Sequence, residues 1–248
     1  MKTFGIIGFG AFGQLMAQLL GDRFSLRAYD PDKAVEDVAA EHGVTMMGIE
    51  DVAASDIVVL SLPVPLMEGA AQQIKDHVKD GTLVLDVGSV KVKPAELMQR
   101  LLPDTVDLIG THPLFGPVGA SQGTEGLKMV LCPLRGPRVE ERTEKLQAFL
   151  ATEFGIEPVM ATPEEHDKEM AYIQGLPHLI AKVLIEMEPL PRRMVTPNYK
   201  HFLRSIDVVR RDTDDLFQAI FRENPYTKEV RDEFFEKATA LRKVIDEG

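Results

Sequence analysis

Short apolar segments alternate with helix-forming segments from residue 3 to residue 110, and this alternation restricts the possible folds more than any other feature. The apolar segments lie at residues 3–8, 24–29, near Val44, 56–61, 82–86 and 106–110. Helical patterns cover residues 11–20, 31–40, 66–78 and 94–102. Strands without a polar face are typical of a parallel sheet that is covered by helices on both sides. The pattern therefore predicts an α/β fold with a doubly wound parallel sheet.

The pattern becomes entirely helical after residue 160. Helical periodicity runs from Pro163 to Glu186 and again from about Asn198 to Gly248, without a strand-like segment. In the last block, apolar residues recur at spacings of three and four, as in an amphipathic helix, at Val230, Phe234, Ala238, Leu241 and Ile245. We predict one domain at residues 1–160 and a small all-helical domain at residues 161–248.

A glycine-rich motif follows the first predicted strand and opens the first predicted helix. It has the spacing G-x-G-x-x-G and comprises Gly8, Phe9, Gly10, Ala11, Phe12 and Gly13. The first glycine permits a tight turn, the second lets a pyrophosphate approach the backbone, and the third lets helix and strand pack closely. The free N–H groups at the helix start favour an anion. This context predicts a Rossmann-type dinucleotide site; the alternative is a glycine-rich turn that binds nothing.

Asp30 indicates which dinucleotide binds. It ends the second predicted strand, about 20 residues beyond the start of the motif, where a carboxylate can accept hydrogen bonds from an adenosine ribose. The same charge would repel a 2′-phosphate, so the sequence favours NAD over NADP. Further cofactor contacts are expected where the fourth strand ends, at Ser61, Leu62 and Pro63.

Two further segments follow predicted strands at the same edge of the sheet. They are residues 86–91, which contain Ser89, and residues 111–117, which contain His112. Imidazole titrates near neutral pH, so a histidine that faces the nicotinamide can take a hydroxyl proton while hydride leaves the same carbon. We expect Ser89 to hydrogen-bond His112 or the substrate hydroxyl. Alternatively, His112 is a loop residue without a catalytic role.

The composition restricts the possible partners. The net charge of −11 argues against nucleic acid or an anionic membrane surface, although a local cluster of Arg and His can still bind a small anion. The single cysteine, Cys132, rules out an internal disulfide framework and a cysteine-rich zinc site. No segment approaches the roughly 18 apolar residues of a membrane span, and no secretory signal pattern is present. We therefore expect a soluble, cytoplasmic protein.

Three motifs, together with the glycine-rich loop, resemble those of the prephenate/arogenate dehydrogenase family of tyrosine biosynthesis. They are D-x-G-S-V-K at residues 86–91, H-P-L-F-G-P at residues 112–117, and E-H-D at residues 165–167 leading to Q-G-L-P-H at residues 174–178. Their order and spacing are similar to those of the family over nearly the whole chain. The resemblance implies an NAD-dependent enzyme that oxidises and decarboxylates prephenate or arogenate.

The same resemblance implies roles for individual residues. His112 would be the catalytic histidine with Ser89 beside it, and His178 would contact the side chain of the substrate. An arginine of the helical domain should hold a substrate carboxylate, because a guanidinium is a permanently charged, bidentate donor. Arg204 and Arg211 are the two candidates, since they share a face of one predicted helix. The family also implies a homodimer formed through the helical domain.

Several alternatives remain open at this point. His178 could be a core histidine, and each arginine could belong to a solvated charged surface. The helical domain is shorter than is usual in the family, and no acidic residue lies near Val118, where many bacterial members carry one. No attached mutase or regulatory domain is expected. The competing functions are a β-hydroxyacid dehydrogenase or pyrroline-carboxylate reductase, which typically use a lysine in the helical domain or lack the histidine–proline pair, and a non-catalytic NAD-binding sensor.

Overall fold

An eight-stranded sheet organises the first of the two units into which the chain divides, Met1–Glu164. The structure is a computed structural model that describes residues 1–212 and 214–247. The strands are β1 Thr3–Ile7, β2 Ser25–Tyr29, β3 Thr45–Met46, β4 Ile57–Leu60, β5 Leu83–Asp86, β6 Asp107–Pro113, β7 Lys128–Arg135 and β8 Glu157–Met160. Their order across the sheet is β3-β2-β1-β4-β5-β6-β7-β8, and only β6 and β7 pair antiparallel among these neighbours.

Helices cover both faces of this sheet. They are a 3₁₀ turn at Lys33–Val35 and the helices α1 Ala11–Leu20, α2 Glu36–Glu41, α3 Ile49–Ala53, α4 Val64–Ile74, α5 Val92–Leu101, α6 Pro117–Ala120 and α7 Val139–Phe154. Met16 of α1 and Leu150 of α7 pack with side chains of β1 and β4 in one cluster. Met67 of α4 and Met98 of α5 pack with the alternate residues of the same strands in another. The predicted doubly wound α/β class is confirmed.

Two strands were not predicted from the sequence. β7 and β8 lie at one side of the sheet, and exposed residues interrupt their apolar pattern. β7 contains the exposed Pro133, which lies opposite Ile109 next to a shift in register. A proline cannot donate to the ladder, so such irregular positions accommodate it. Because β7 pairs with residues 110–113, β6 extends three residues beyond its predicted end.

The second unit begins at Glu165, two residues after the start of its first helix, and its described residues contain helices and connecting segments but no strand. The elements are α8 Pro163–Met170, a π-helical segment Ala171–Gly175, α9 Leu176–Glu186, α10 Pro197–Val209, α11 Asp214–Gln218, a second π-helical segment Ala219–Glu223 and α12 Thr227–Glu247. Ala181 of α9 packs against Ile206 and Val209 of α10 in a small core. Within residues 1–212 and 214–247, no helix combines the length and apolarity that a membrane crossing needs.

The burial of Leu108 on β6 gives a test of the layered core. Leu108 is fully buried, and Leu108→Ala is expected to lower the free energy of unfolding by about 2–5 kcal/mol, because it leaves a cavity. Leu66→Ala removes the same atoms from a side chain that is 60% exposed. That control should change the free energy by less than about 0.5 kcal/mol. If denaturant unfolding shows that the two variants lose equal free energy of unfolding, the assigned core is contradicted.

Candidate active site

Two glycines of the motif lie so close to backbone carbonyl oxygens that no larger residue would fit. Gly8 has a φ of +96°, and a Cβ there would lie 2.1 Å from the carbonyl oxygen of Ser61. A Cβ on Gly13 would lie 2.5 Å from the carbonyl oxygen of Gly8. The N–H of Ser61 donates to the carbonyl of Ile7 over 2.7 Å, so the turn after β1 lies directly against the end of β4. The structure thus has the tight turn and the close helix–strand packing that the first and third glycines were expected to provide.

Gly10 lies where α1 begins and faces open space. A Cβ on Gly10 would meet no atom within 4 Å. No side chain caps this helix N-terminus, so its first N–H groups are left for a ligand or for water. An anion is favoured at such a position by these N–H groups and by the helix dipole. The geometry of residues 8–13 therefore fits a bound pyrophosphate.

Asp30 follows β2 and supports the glycine-rich loop directly. Its Oδ2 accepts a hydrogen bond from the N–H of Phe9 at 2.7 Å, and its Oδ1 accepts one from the N–H of Asp32 at 2.9 Å. The carboxylate is half-buried, and each oxygen retains a lone pair that a ribose hydroxyl can use. The support that Asp30 gives to the loop was not predicted from the sequence.

The remaining predicted residues of the first unit follow the ends of parallel strands. Residues 61–63 follow β4 and Ser89 follows β5, so they share the carboxyl edge of the sheet with the glycine-rich loop. His112 is only 6% exposed and pairs with Val130 of β7. The expectation that His112 follows the end of its strand is therefore corrected: it lies within β6, because pairing with β7 extends that strand.

The D-x-G-S-V-K segment contains two buried charged residues to which the sequence assigns no role. Asp86 and Lys91 are fully buried, and the lysine ammonium contacts Oδ2 of the carboxylate. Asp86 also accepts a hydrogen bond from the N–H of Thr111, which precedes His112. The sequence shows both residues, but it does not show that they lie together inside the protein.

In the second unit, His178 on α9 contacts two hydrogen-bond acceptors. Its Nδ1 lies 2.7 Å from the carbonyl oxygen of Gln174, and its Nε2 lies 3.1 Å from Oδ2 of Asp212. The carbonyl oxygen can only accept a hydrogen bond, and Nε2 lies within hydrogen-bond distance of the carboxylate. The ring of His178 is therefore held between Gln174 and Asp212. Asp212 was not predicted, since it lies 34 positions away along the chain.

The two candidate arginines differ in their position relative to α10. Arg204 lies within the helix, whereas Arg211 follows its last residue, Val209. The N–H of Arg211 bonds to the carbonyl of Val208, three residues earlier, so the chain tightens into a 3₁₀-like turn there. Both arginines are exposed. The prediction that one continuous helix carries both on a shared face is corrected, because α10 ends between them.

The fold and the glycine-rich edge define a nucleotide-binding α/β domain that is followed by a helical domain. Residues 17–171 match the family model of the prephenate dehydrogenase nucleotide-binding domain. Residues 162–248 match the model of the prephenate dehydrogenase dimerization domain. The chain belongs to the prephenate dehydrogenase family, and the resemblance found in the sequence is confirmed.

Named relatives and a solved structure are similar to this chain. A probable arogenate/prephenate dehydrogenase of Methanocaldococcus jannaschii is 27% identical over 219 residues, which are 85% of this chain and 48% of the relative. Arogenate dehydrogenase 1, chloroplastic, of Arabidopsis thaliana is 27% identical over 238 residues, 93% of this chain and 37% of the relative. The chain thus spans less than half the length of these curated relatives.

The crystal structure of prephenate dehydrogenase from Aquifex aeolicus in complex with hydroxyphenyl propionate and NAD+ has a similar fold, with a TM-score of 0.78. The two chains are 21% identical, and the match covers 99% of this chain and 91% of the other. At this level of identity, the likeness establishes the fold.

The open space at Gly10 gives a test of nucleotide binding. Its φ of −66° suits alanine, so Gly10→Ala should keep the fold and lose at most about 1 kcal/mol of stability from the less favourable helix N-cap. The added methyl group would occupy the space where a pyrophosphate fits, and the Kd for NAD should rise at least about tenfold, or 1.4 kcal/mol. Gly69→Ala on α4, where a Cβ also meets no atom within 4 Å, is the matched control. Equal NAD affinity of both variants in calorimetry would refute this assignment.

Proposed function

We propose that this chain catalyses the NAD-dependent oxidative decarboxylation of prephenate or arogenate, which gives 4-hydroxyphenylpyruvate or tyrosine in tyrosine biosynthesis. One observation carries the proposal. This member of the prephenate dehydrogenase family has a buried histidine, His112, on β6, which pairs with β5. The carboxyl edge of the same sheet holds the glycine-rich loop. The names of the relatives include both substrates, so the proposal covers both.

NAD is the cofactor that the residues of the first unit fit. We assign its pyrophosphate to residues 8–13, its adenosine ribose to Asp30 and further contacts to residues 61–63. The carboxylate of Asp30 would repel the 2′-phosphate of NADP. When bound, NAD supplies the acceptor for the hydride that leaves the substrate.

His112 and Ser89 are assigned to the chemical step. A ring nitrogen of His112 takes the proton of the ring hydroxyl while hydride leaves the carbon that carries this hydroxyl. Ser89 hydrogen-bonds the histidine or the hydroxyl and holds it in place. The ketone that forms draws the electrons of the ring–carboxylate bond into the ring, so carbon dioxide leaves. His112 then returns its proton to the phenol oxygen, and aromatisation makes the reaction effectively irreversible.

The second unit is assigned to the substrate side chain. His178, whose ring lies between Gln174 and Asp212, is assigned to the pyruvyl or alanyl side chain of the substrate. Arg204 or Arg211 holds a substrate carboxylate, for which a guanidinium provides two parallel N–H donors. Both are exposed, so neither needs to leave a buried position to bind an anion.

A homodimer is the proposed assembly, formed through the helical unit that matches the dimerization domain. On α12, Val230 is buried, whereas Leu241 and Ile245 are 60% and 70% exposed within a single chain. Apolar side chains at this helical spacing favour burial against a second copy.

The role of His112 predicts a specific kinetic defect. Asparagine can still hydrogen-bond the hydroxyl but cannot take its proton, so His112→Asn should lower kcat by about 10²–10⁴-fold while KM changes little. NADH absorbance with prephenate and with arogenate measures both constants. His77→Asn, at an exposed histidine just past α4, is the matched control and should retain activity. Near-normal kcat in His112→Asn would show that the proposed mechanism is wrong.

The charge of Asp30 predicts cofactor preference. The unmutated chain should have a higher kcat/KM with NAD than with NADP, and Asp30→Ser should narrow or reverse this ratio because the repulsion is removed. Asp37→Ser, at an exposed aspartate on α2, should leave the ratio unchanged. Equal use of both cofactors by the unmutated chain would rule out this role of Asp30.

The exposed apolar side chains of α12 predict the oligomeric state. Sedimentation at micromolar concentration should give twice the 27.5 kDa mass of one chain. Ile245→Asp should shift the equilibrium towards the monomer, because a charge would be buried in the contact. A 27.5 kDa species for the unmutated chain would contradict the proposed dimer.

A further inference from the structure

A buried ion pair lies beside the proposed catalytic residues and has no role in the function described above. Lys91 is the only lysine or arginine that is buried within residues 1–212 and 214–247, and its ammonium contacts the fully buried carboxylate of Asp86. Lysine is rarely buried, and the attraction within such a pair often fails to recover the solvation that both charges lose. Apolar residues of similar volume are often as stable. Stability alone therefore does not explain why this position carries two charges.

The contacts of Asp86 join the two segments that carry Ser89 and His112. Oδ2 of Asp86 accepts a hydrogen bond from the N–H of Gly88 at 2.8 Å, one residue before Ser89. Oδ1 accepts one from the N–H of Thr111 at 3.2 Å, one residue before His112. The hydroxyl of Thr111 also donates to the backbone carbonyl of Asp86. A single side chain thus fixes the loop after β5 against the end of β6.

The pair has a defined space in the sheet. β5 and β6 place Asp86 opposite Gly110, and a Cβ on Gly110 would lie 3.3 Å from Cδ of Lys91 and 3.5 Å from Oδ1 of Asp86. Glycine at this position therefore leaves room for the stem of the lysine. An apolar residue in place of Asp86 could fill the same volume, but it would leave the N–H groups of Gly88 and Thr111 without this acceptor.

We propose that Asp86 is a positioning residue, which sets the separation between Ser89 and His112, and that Lys91 compensates its charge inside the protein. This inference rests on the proposed function, because it concerns the placement of the group that takes the hydroxyl proton. Proton transfer depends on placement to within about 1 Å, whereas binding of NAD and substrate uses other residues. Loss of Asp86 should therefore lower kcat and leave KM nearly unchanged.

The double variant Asp86→Asn/Lys91→Met separates positioning from stability. Asp86→Asn alone leaves an uncompensated buried lysine and should lower the unfolding temperature. The double variant removes both charges and should regain most of this stability. If Asp86 positions the catalytic residues, kcat of the double variant stays about 10- to 100-fold below that of the unmutated chain at unchanged KM. Recovery of both stability and kcat would overturn the proposal.

Asp107→Asn is the matched control at the opposite end of β6. Asp107 is fully buried, its Oδ1 accepts the N–H of Arg138 at 2.7 Å, and its Oδ2 lies 3.5 Å from Nε of Arg142. This variant removes a buried charge from the same strand, far from its carboxyl end. It should lower the unfolding temperature without lowering kcat. An equal loss of kcat would mean that general stability of β6 governs turnover, which contradicts a specific role of Asp86.

A readout that needs no turnover distinguishes failure of this inference from failure of the proposed function. In protein labelled with ¹⁵N-histidine and bound to NAD, the ring resonances of His112 are assigned by their loss in His112→Asn. They should move in the double variant but not in Asp107→Asn, and unchanged resonances in the double variant would overturn the inference. Absence of turnover with prephenate and arogenate in the unmutated chain would refute the proposed function, but not the effect of Asp86 on the placement of His112.

A second variant covers the case in which the double variant does not fold. Asp86→Glu keeps the charge that Lys91 compensates but lengthens the side chain by one methylene group, so the carboxylate oxygens that accept the N–H groups of Gly88 and Thr111 are displaced. A lower kcat at unchanged KM would support the positioning role. A variant whose kcat equals that of the unmutated chain would overturn this role.

Discussion

The common direction of the strands from β3 to β6 determines where this chain can place polar functional groups. Strands that are buried on both faces carry mainly apolar side chains, so binding residues collect where the strands end. The glycine-rich loop, Asp30 and Ser89 lie at those ends. The close approach of Gly8 to Ser61 lets the loop pack against β4. This contact and the hydrogen bond from Phe9 to Asp30 together fix the turn after β1 at the edge.

The sequence predicts the parallel strands well because each one is a continuous apolar segment with helical segments on both sides. β7 and β8 have no such signal, since exposed residues such as Pro133 interrupt them at the side of the sheet. The position of His112 depends on β7, because only the pairing with Val130 extends β6 through the histidine. A local sequence pattern does not reveal a strand segment that forms because a distant strand pairs with it.

The same distinction applies to the candidate site. The glycine-rich loop and Asp30 are recognisable because their spacing is local and each position has a steric or electrostatic reason. The contact of Asp86 with Thr111 joins positions that are 25 apart, and that of His178 with Asp212 joins positions that are 34 apart. Such distant partners come together only through the packing of strands and helices, and the local spacing of residues does not predict this packing.

The stoichiometry of NADH and carbon dioxide tests the proposed oxidative decarboxylation most directly. With prephenate or arogenate that is ¹³C-labelled at the ring carboxylate, the unmutated chain and NAD should release one labelled carbon dioxide and one aromatic product for each NADH formed. This ratio follows because hydride loss creates the ketone that expels the carboxylate. NADH formation without labelled carbon dioxide, or no NADH with either substrate, would contradict the proposed reaction.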